Sequence, residues 1–191
     1  MVTNGVSALL DMLPFAVCDS GEGIMYATPN YGMFRHDIET RNGIEIVEVP
    51  CEEPFDQFSA NNADELILKF EAALEGASQR GIRVRAILLC NPSNPLVRYY
   101  SAVTLTRLAR FCAQHQLHLI CDEIYAMSTF PNNGLDDFTS VLSINTDTIV
   151  NNRNIHVLYG VSKDLGFGGL RLGFLITRND VLKEACLQLA Y

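Results

Sequence analysis

The sequence predicts an α/β fold, a mostly parallel sheet with helices on both faces. Two observations carry this. Apolar runs of strand length alternate with segments of helical periodicity along almost all of the 191 residues. The strands are separated by stretches long enough to hold a helix, as parallel neighbours require. A content of 48% hydrophobic and 19% charged residues is globular rather than disordered.

In chain order, Asn4 is placed to cap a first helix through Val6, Leu9, Leu10 and Leu13, with Pro14 kinking or ending it. Gly23 to Ala27 reads as a short buried strand stopped by Thr28-Pro29, and Tyr31 to Thr40 as a helix. Asn42-Gly43 turns the chain into Ile44 to Val49, whose β-branched residues and following Pro50 mark a strand. After a polar loop from Cys51 to Asn62, Leu66, Phe70, Ala73 and Leu74 form one helical stripe. Val84 to Cys90 is a buried strand ending at the Asn-Pro turns, and Val103 to His115 is helical again. Strands follow at Leu117–Cys121, Ile155–Tyr159 and Leu170–Ile176, with a loop of turn residues from Pro131 to Asp137. A helix from Asn179 runs to Tyr191, and no internal repeat or linker divides the chain.

A net charge of −8 argues against a nucleic-acid surface, which needs clustered Lys and Arg. The six cysteines form no CxxC pair, and Cys90 and Cys121 lie in apolar runs where a thiol behaves as a small hydrophobe. Reduced thiols are therefore expected. The four histidines make no metal set; His115 and His118 straddle a helix-to-strand turn and read as surface residues. No apolar run reaches membrane-spanning length, and Met1 to Gly5 lacks the layout of a signal peptide. A soluble, cytoplasmic protein with no membrane or nucleic-acid partner is expected.

The chemistry concentrates at strand ends, where open α/β sheets place ligands. Lys163 follows a strand and is flanked by Ser162 and by Gly160, Gly166, Gly168 and Gly169, a setting that can make an amine nucleophilic. Asp122 directly follows Leu119-Ile120-Cys121 and offers a carboxylate to a pyridine nitrogen. Tyr125 and Asn94 can hydrogen-bond a ring oxygen, Arg171 presents a fork for phosphate, and Tyr31 can stack on a ring. Gly5-Val6-Ser7 at the first helix start can give N–H groups and a hydroxyl to the same phosphate. Singly, each has a plain alternative: a solvated lysine, a turn aspartate, a turn asparagine beside proline, a surface arginine, a core tyrosine. Together and in this order they are the groups that pyridoxal 5'-phosphate (PLP) chemistry needs.

The segments carrying Thr28-Pro29-Asn30-Tyr31-Gly32, Arg41-Asn42-Gly43-Ile44, Asn91-Pro92-Ser93-Asn94-Pro95-Leu96, Asp122-Glu123-Ile124-Tyr125 and Ser162-Lys163-Asp164-Leu165-Gly166 resemble the large domain of fold-type I PLP enzymes. The chain is most similar to the 1-aminocyclopropane-1-carboxylate (ACC) synthase-like members of the class I/II aminotransferase family. The resemblance implies that Lys163 forms a Schiff base with PLP and then moves a proton at the α-carbon of an amino acid substrate. It implies that Asp122 pairs the pyridine nitrogen, that Asn94 and Tyr125 hold the ring oxygen, that Tyr31 stacks on the ring, and that Ser7 and Arg171 bind phosphate. A homodimer is implied in the same way.

Four positions depart from that pattern. Gly160 stands for a serine, which removes a phosphate hydroxyl and should weaken cofactor affinity; Val97 stands for a glycine, Asn30 for a tyrosine and Gly168 for a proline. The resemblance also implies a subunit longer at both ends. On that basis residues 1–191 are a partial large domain, with the N-terminal segment and the small domain absent, and most of an edge strand beside Leu170–Ile176 missing. That segment is then expected to be an exposed apolar edge. Transamination is the first expectation. Lyase chemistry (β/γ-elimination, C–S cleavage or ACC formation) and a truncated, inactive remnant are the alternatives. A nucleotide-binding doubly wound domain is disfavoured, since no GxGxxG follows a strand.

Overall fold

A seven-stranded sheet organises the computed structural model, which describes residues 1–130, 137–144 and 152–190. Its strands are β1 (Val2–Asn4), β2 (Gly23–Thr28), β3 (Glu45–Pro50), β4 (Val84–Cys90), β5 (His118–Asp122), β6 (Ile155–Gly160) and β7 (Leu172–Thr177), in the order β1-β7-β6-β5-β4-β2-β3. From β3 through β6 all neighbours are parallel; β7 runs antiparallel to both β6 and β1. The register sets Cys90 opposite Asp122, Asp122 opposite Leu158, and Gly160 opposite Gly173. Those pairs lie at the strand ends that bear the predicted chemistry.

Helices α1 (Val6–Val17), α2 (Phe34–Asn42) and α5 (Asp180–Leu189) cover one face. Their Leu9, Leu13, Phe34, Ile38 and Leu182 pack on Ile24, Leu88, Ile120 and Leu158. On the other face, α3 (Ala63–Gln79) and α4 (Ala102–Gln114) set Leu66, Phe70, Leu105 and Leu108 against Met25, Val47, Ile87 and Leu89. Burial of each such side chain stabilises by about 1.5–3 kcal/mol, so the two cores rather than local propensity hold the layers together. Ser101 caps α4 by accepting the N–H of Thr104 at 3.1 Å, and Asn179 caps α5 by accepting that of Leu182 at 3.0 Å.

Several expectations need correction. Asn4 is not a cap; it ends β1, and Gly5 precedes α1 without any side-chain cap. Pro14 does not end α1, which continues to Val17. The proline removes a single backbone donor, while the apolar stripe of Leu9, Leu13 and Val17 runs past it and keeps the last turn packed. Tyr31 to Met33 form a turn, and α2 begins only at Phe34. The edge beside β7 is paired along its main chain, while Leu170, Leu172 and Ile176 keep exposed apolar side chains as expected. Val2, Thr3 and Asn4 pair with Phe174, Gly173 and Leu172, and the Met1 amino group donates to the Leu175 carbonyl at 3.0 Å. Three residues of main chain suffice to satisfy most of an edge whose strand is only six residues long.

His118 is not a surface residue of a turn either. Its Nδ1 lies 2.8 Å from Nε2 of the fully buried His156, whose Nδ1 lies 2.8 Å from the Thr177 hydroxyl. Burial pushes the two imidazoles down to about 4 and about 3, so both are neutral at pH 7. All six cysteines are free and buried. No described helix is long and apolar enough to cross a membrane. The predicted loop at Pro131–Asp137 falls almost wholly outside the described residues, as does Tyr191 at the end of the last predicted helix.

Candidate functional site

At the carboxyl ends of β4, β5 and β6 the sheet opens into a cleft of about 250 Å³. Every site residue predicted from sequence lines it: Ser7 from α1, Tyr31 from the turn before α2, Asn94 from the loop after β4, Asp122 and Tyr125 from the end of β5, and Lys163 and Arg171 from beyond β6. Parallel strands bring these segments together because each ends at the same edge of the sheet.

Asp122 forms the polar floor. Its Oδ1 accepts the Ile124 N–H at 3.1 Å, yet the side chain is buried. Burial lifts its carboxyl to about 7; the Ile124 bond and the Lys163 cation oppose that rise, and the neighbouring Glu123 adds to it. Glu123 has separate duties, since its Oε1 accepts the Val141 N–H at 2.8 Å. The Tyr125 phenol is also pushed up by burial, against the pull of a hydrogen bond from the Asn94 side chain. The loop bearing Asn94 is pinned by Asn91, which is fully buried. Asn91 accepts the Tyr100 N–H at 2.9 Å and donates to the Thr139 carbonyl at 3.2 Å.

The opposite wall is suited to an anion. Gly5 has φ +83°, and the first N–H groups of the twelve-residue α1 face the cleft without a side-chain cap, as Val6 and Ser7 line it. Arg171, itself left-handed at φ 51°, donates from Nη1 to the Gly168 carbonyl at 3.2 Å and lays its guanidinium on Gly5. A Cβ at Gly5 would stand 2.6 Å from Arg171 Nη2. Gly173 lets the Gly5–Val6 main chain lie against β7, because a Cβ there would fall 2.4 Å from the Gly5 carbonyl carbon. At Gly160, the position expected to carry serine, a Cβ would meet the Leu172 carbonyl at 3.0 Å and Val6 Cγ2 at 3.1 Å. The glycine leaves Val6 room to pack.

Tyr31 is partly exposed at the rim and meets Phe34 edge-on, with ring centroids 5.4 Å apart. Lys163 stands in the turn directly after β6, closed by the Gly166 N–H to the Lys163 carbonyl at 3.2 Å. Three contributors escaped the sequence analysis. Cys90 lines the cleft beside Asp122, Gly173 seats α1, and Asp164 bridges the lysine turn to the turn after Tyr125. The only sequence signals were adjacency, to Asn91 for Cys90 and to Lys163 for Asp164, and the spacing of Gly173 two residues after Arg171.

Comparison with known proteins agrees with this architecture. An ACC synthase from Oryza sativa subsp. japonica (synthase 6) is 34% identical over 191 residues, which is 100% of this chain and 34% of the relative. ACC synthase 7 of Arabidopsis thaliana is 35% identical over 182 residues, 94% of this chain and 39% of the relative. The chain thus spans well under half the length of these two relatives. Among solved structures, an aspartate aminotransferase from Rhodobacter sphaeroides superposes with a TM-score of 0.80 at 21% identity, over 100% of this chain and 45% of that one. Cystalysin from Treponema denticola, which contains a PLP cofactor, superposes with a TM-score of 0.75 at 20% identity, over 97% and 43%. At such identities the structures speak for the fold alone. The family model for aminotransferase class I and II matches residues 1–190, the same span that builds the sheet and gathers the cleft, and the chain belongs to that family.

Proposed function

We propose that the cleft binds pyridoxal 5'-phosphate and that the chain carries out PLP-dependent chemistry at the α-carbon of an amino acid, with transamination as the outcome. The buried Asp122 carries this reading. A carboxyl lifted to about 7 by burial is a poor structural choice, and a ring N–H⁺ of the cofactor is the partner that would hold it ionised. The remaining donors fit the other ends of the same molecule. Arg171, Ser7 and the start of α1 suit its phosphate; Tyr125 and Asn94 suit its ring oxygen; Tyr31 offers an aromatic face; and Lys163 offers a primary amine to its aldehyde.

When bound, the cofactor supplies an electrophilic carbon and an aromatic ring that draws electrons from the substrate. The chain's own groups do the rest. Asp122 keeps the ring nitrogen protonated, which strengthens that electron demand. Tyr125 and Asn94 orient the ring by its oxygen, and the phosphate subsite fixes its far end, so that the reacting carbon stays within reach of Lys163. Lys163 Nζ would take the proton from the substrate α-carbon and, for amine transfer to result, deliver it to the cofactor's former aldehyde carbon rather than back to the α-carbon. A second outcome, lyase chemistry ending in elimination or ring closure, is favoured by one observation: the relatives at 34% and 35% identity are ACC synthases. Both outcomes begin with the same proton removal.

The test is to incubate the 191-residue chain with PLP, reduce with borohydride and map the modified lysine by mass spectrometry. Label on Lys163 that disappears in Lys163→Ala is the expected result. Label scattered over surface lysines, or none, would remove the cofactor reading and leave a chain that keeps the family fold without its chemistry.

A further inference from the structure

We infer that Asp164 is a positioning residue, one that sets the separation between the lysine turn and the Tyr125 turn; this rests on the cofactor reading above. Its side chain works at both oxygens. Oδ2 accepts the Met127 N–H at 2.8 Å and Oδ1 accepts the Ser128 hydroxyl at 2.5 Å, across 37 and 36 residues of sequence. The Tyr159 phenol of β6 donates to the Met127 Sδ at 3.1 Å, and burial, followed by the nearby Asp164 charge, pushes that phenol up and keeps it protonated.

Each turn is closed within itself. Gly166 and Phe167 donate to the Lys163 and Val161 carbonyls, while Ala126 and Ser128 donate to the Glu123 and Tyr125 carbonyls. Those bonds shape the turns but do not fix one against the other. The β5–β6 register does so only as far as Asp122 and Leu158, followed by one more backbone bond from the Glu123 N–H to the Leu158 carbonyl at 2.8 Å. Beyond that point Lys163 and Tyr125 project from separate loops, and the Asp164 carboxylate joins those loops, with the Tyr159 phenol of β6 adding a bond to Met127. Charge-assisted bonds of this kind are roughly twice as strong as neutral ones, and Lys163 is the residue immediately before Asp164. The bridge therefore acts on the lysine backbone directly, without occupying the cleft, which Asp164 does not line.

An asparagine in this place keeps an acceptor for Met127 and gives Ser128 a donor in exchange, so geometry and charge can be separated. In Asp164→Ala, borohydride-trapped label at Lys163 is expected to form about tenfold more slowly at fixed PLP, the scale of loss that small misplacement of a reacting group produces. In Asp164→Asn it should remain within about twofold of the parent, because the bonds persist. Affinity for inorganic phosphate, which reports the Ser7–Arg171 wall, should be unchanged in both variants. Amide exchange supplies a readout without cofactor: the Met127 N–H should be protected in the parent and in Asp164→Asn, and exposed in Asp164→Ala. Equal labelling rates in parent and alanine variant would overturn the inference, as would parallel loss of labelling and phosphate binding, which marks a general structural role. An unprotected Met127 amide in the parent would show that the bridge does not form. Absence of label in the parent would sink the cofactor reading and with it the purpose assigned to Asp164, and the exchange pattern would tell that failure from absence of the bridge.

Discussion

Replacing Asp122 with asparagine should stabilise the cofactor-free chain, and by an amount that grows with pH. In the folded chain burial lifts this carboxyl from 3.8 to about 7. Because the folded value lies above the unfolded one, the folded state holds the proton more tightly. Stability from this group is therefore complete in acid and is lost as pH rises from 3.8 through 7. At ~1.4 kcal/mol per unit, ionising Asp122 costs on the order of 4 kcal/mol above pH 7. About 3 kcal/mol of that should develop between pH 5 and 8.5. The asparagine keeps the Oδ1 that accepts from Ile124 and has nothing to ionise. Urea unfolding of both proteins at both pH values reads the effect as a difference of differences, in which every other titrating group cancels. A gap between the two proteins that is the same at pH 5 and pH 8.5 would refute the placement of Asp122 as a buried carboxyl that Lys163 only partly offsets. The same variant should lose the grip on a pyridine nitrogen, so stability and binding move in opposite directions.

Two further predictions test the frame around the cleft. Gly173→Ala puts a methyl group 2.4 Å from the main chain of Gly5, which cannot yield as a flexible side chain would. It should cost about 3 kcal/mol in urea unfolding with an unchanged slope and weaken inorganic phosphate binding; a loss under about 0.5 kcal/mol would show that α1 is not seated on β7 as described. The His118–His156 pair titrates with the opposite sign to Asp122. Folded values of about 4 and about 3 lie below the usual 6.5, so the contribution is complete above 6.5 and lost as pH falls towards them. His156→Gln should therefore show a shallower fall in melting temperature between pH 7.5 and 5 than the parent, whatever its absolute stability; parallel curves would refute the neutral pair.

What was legible in the sequence was local. The stripe of Leu66 and Phe70 and the run from Val84 to Cys90 declare helix and strand within one element, because a 3.6-residue stripe and a short continuous apolar run ended by turn residues are both local signals. The cleft residues were legible for a related reason: each sits at a strand end, and parallel strands deliver those ends to one edge. What was hidden depended on a distant partner. β1 is three residues with no period of its own and exists as a strand only because β7 lies beside it. His118 meets His156 through a parallel register 38 residues apart, and Asp164 reaches Met127 across two turns. Pro14 broke a local rule because the apolar face beyond it had somewhere to pack.

Departures from local preference occur at both edges of the sheet, as the left-handed Gln116 before β5 shows, but several of them meet at one cleft. At the carboxyl edge of the sheet stand a left-handed arginine, a positive-φ glycine before an uncapped helix, and a buried carboxyl, all lining or touching one cleft. A left-handed conformation at Arg171 alone costs about 1–2 kcal/mol, and nothing in its own neighbourhood of sequence demands it. At the far edge, by contrast, the buried His156 is neutral and lies within hydrogen-bond distance of both His118 and Thr177. What sets the carboxyl edge apart is that its unfavourable choices surround one cleft. Each choice here is relieved by the same kind of occupant: an anion for the uncapped helix and the arginine, and a cationic ring for the carboxylate. Strain and unmatched charge thus point to a single molecule with a phosphate at one end and a protonatable aromatic nitrogen at the other.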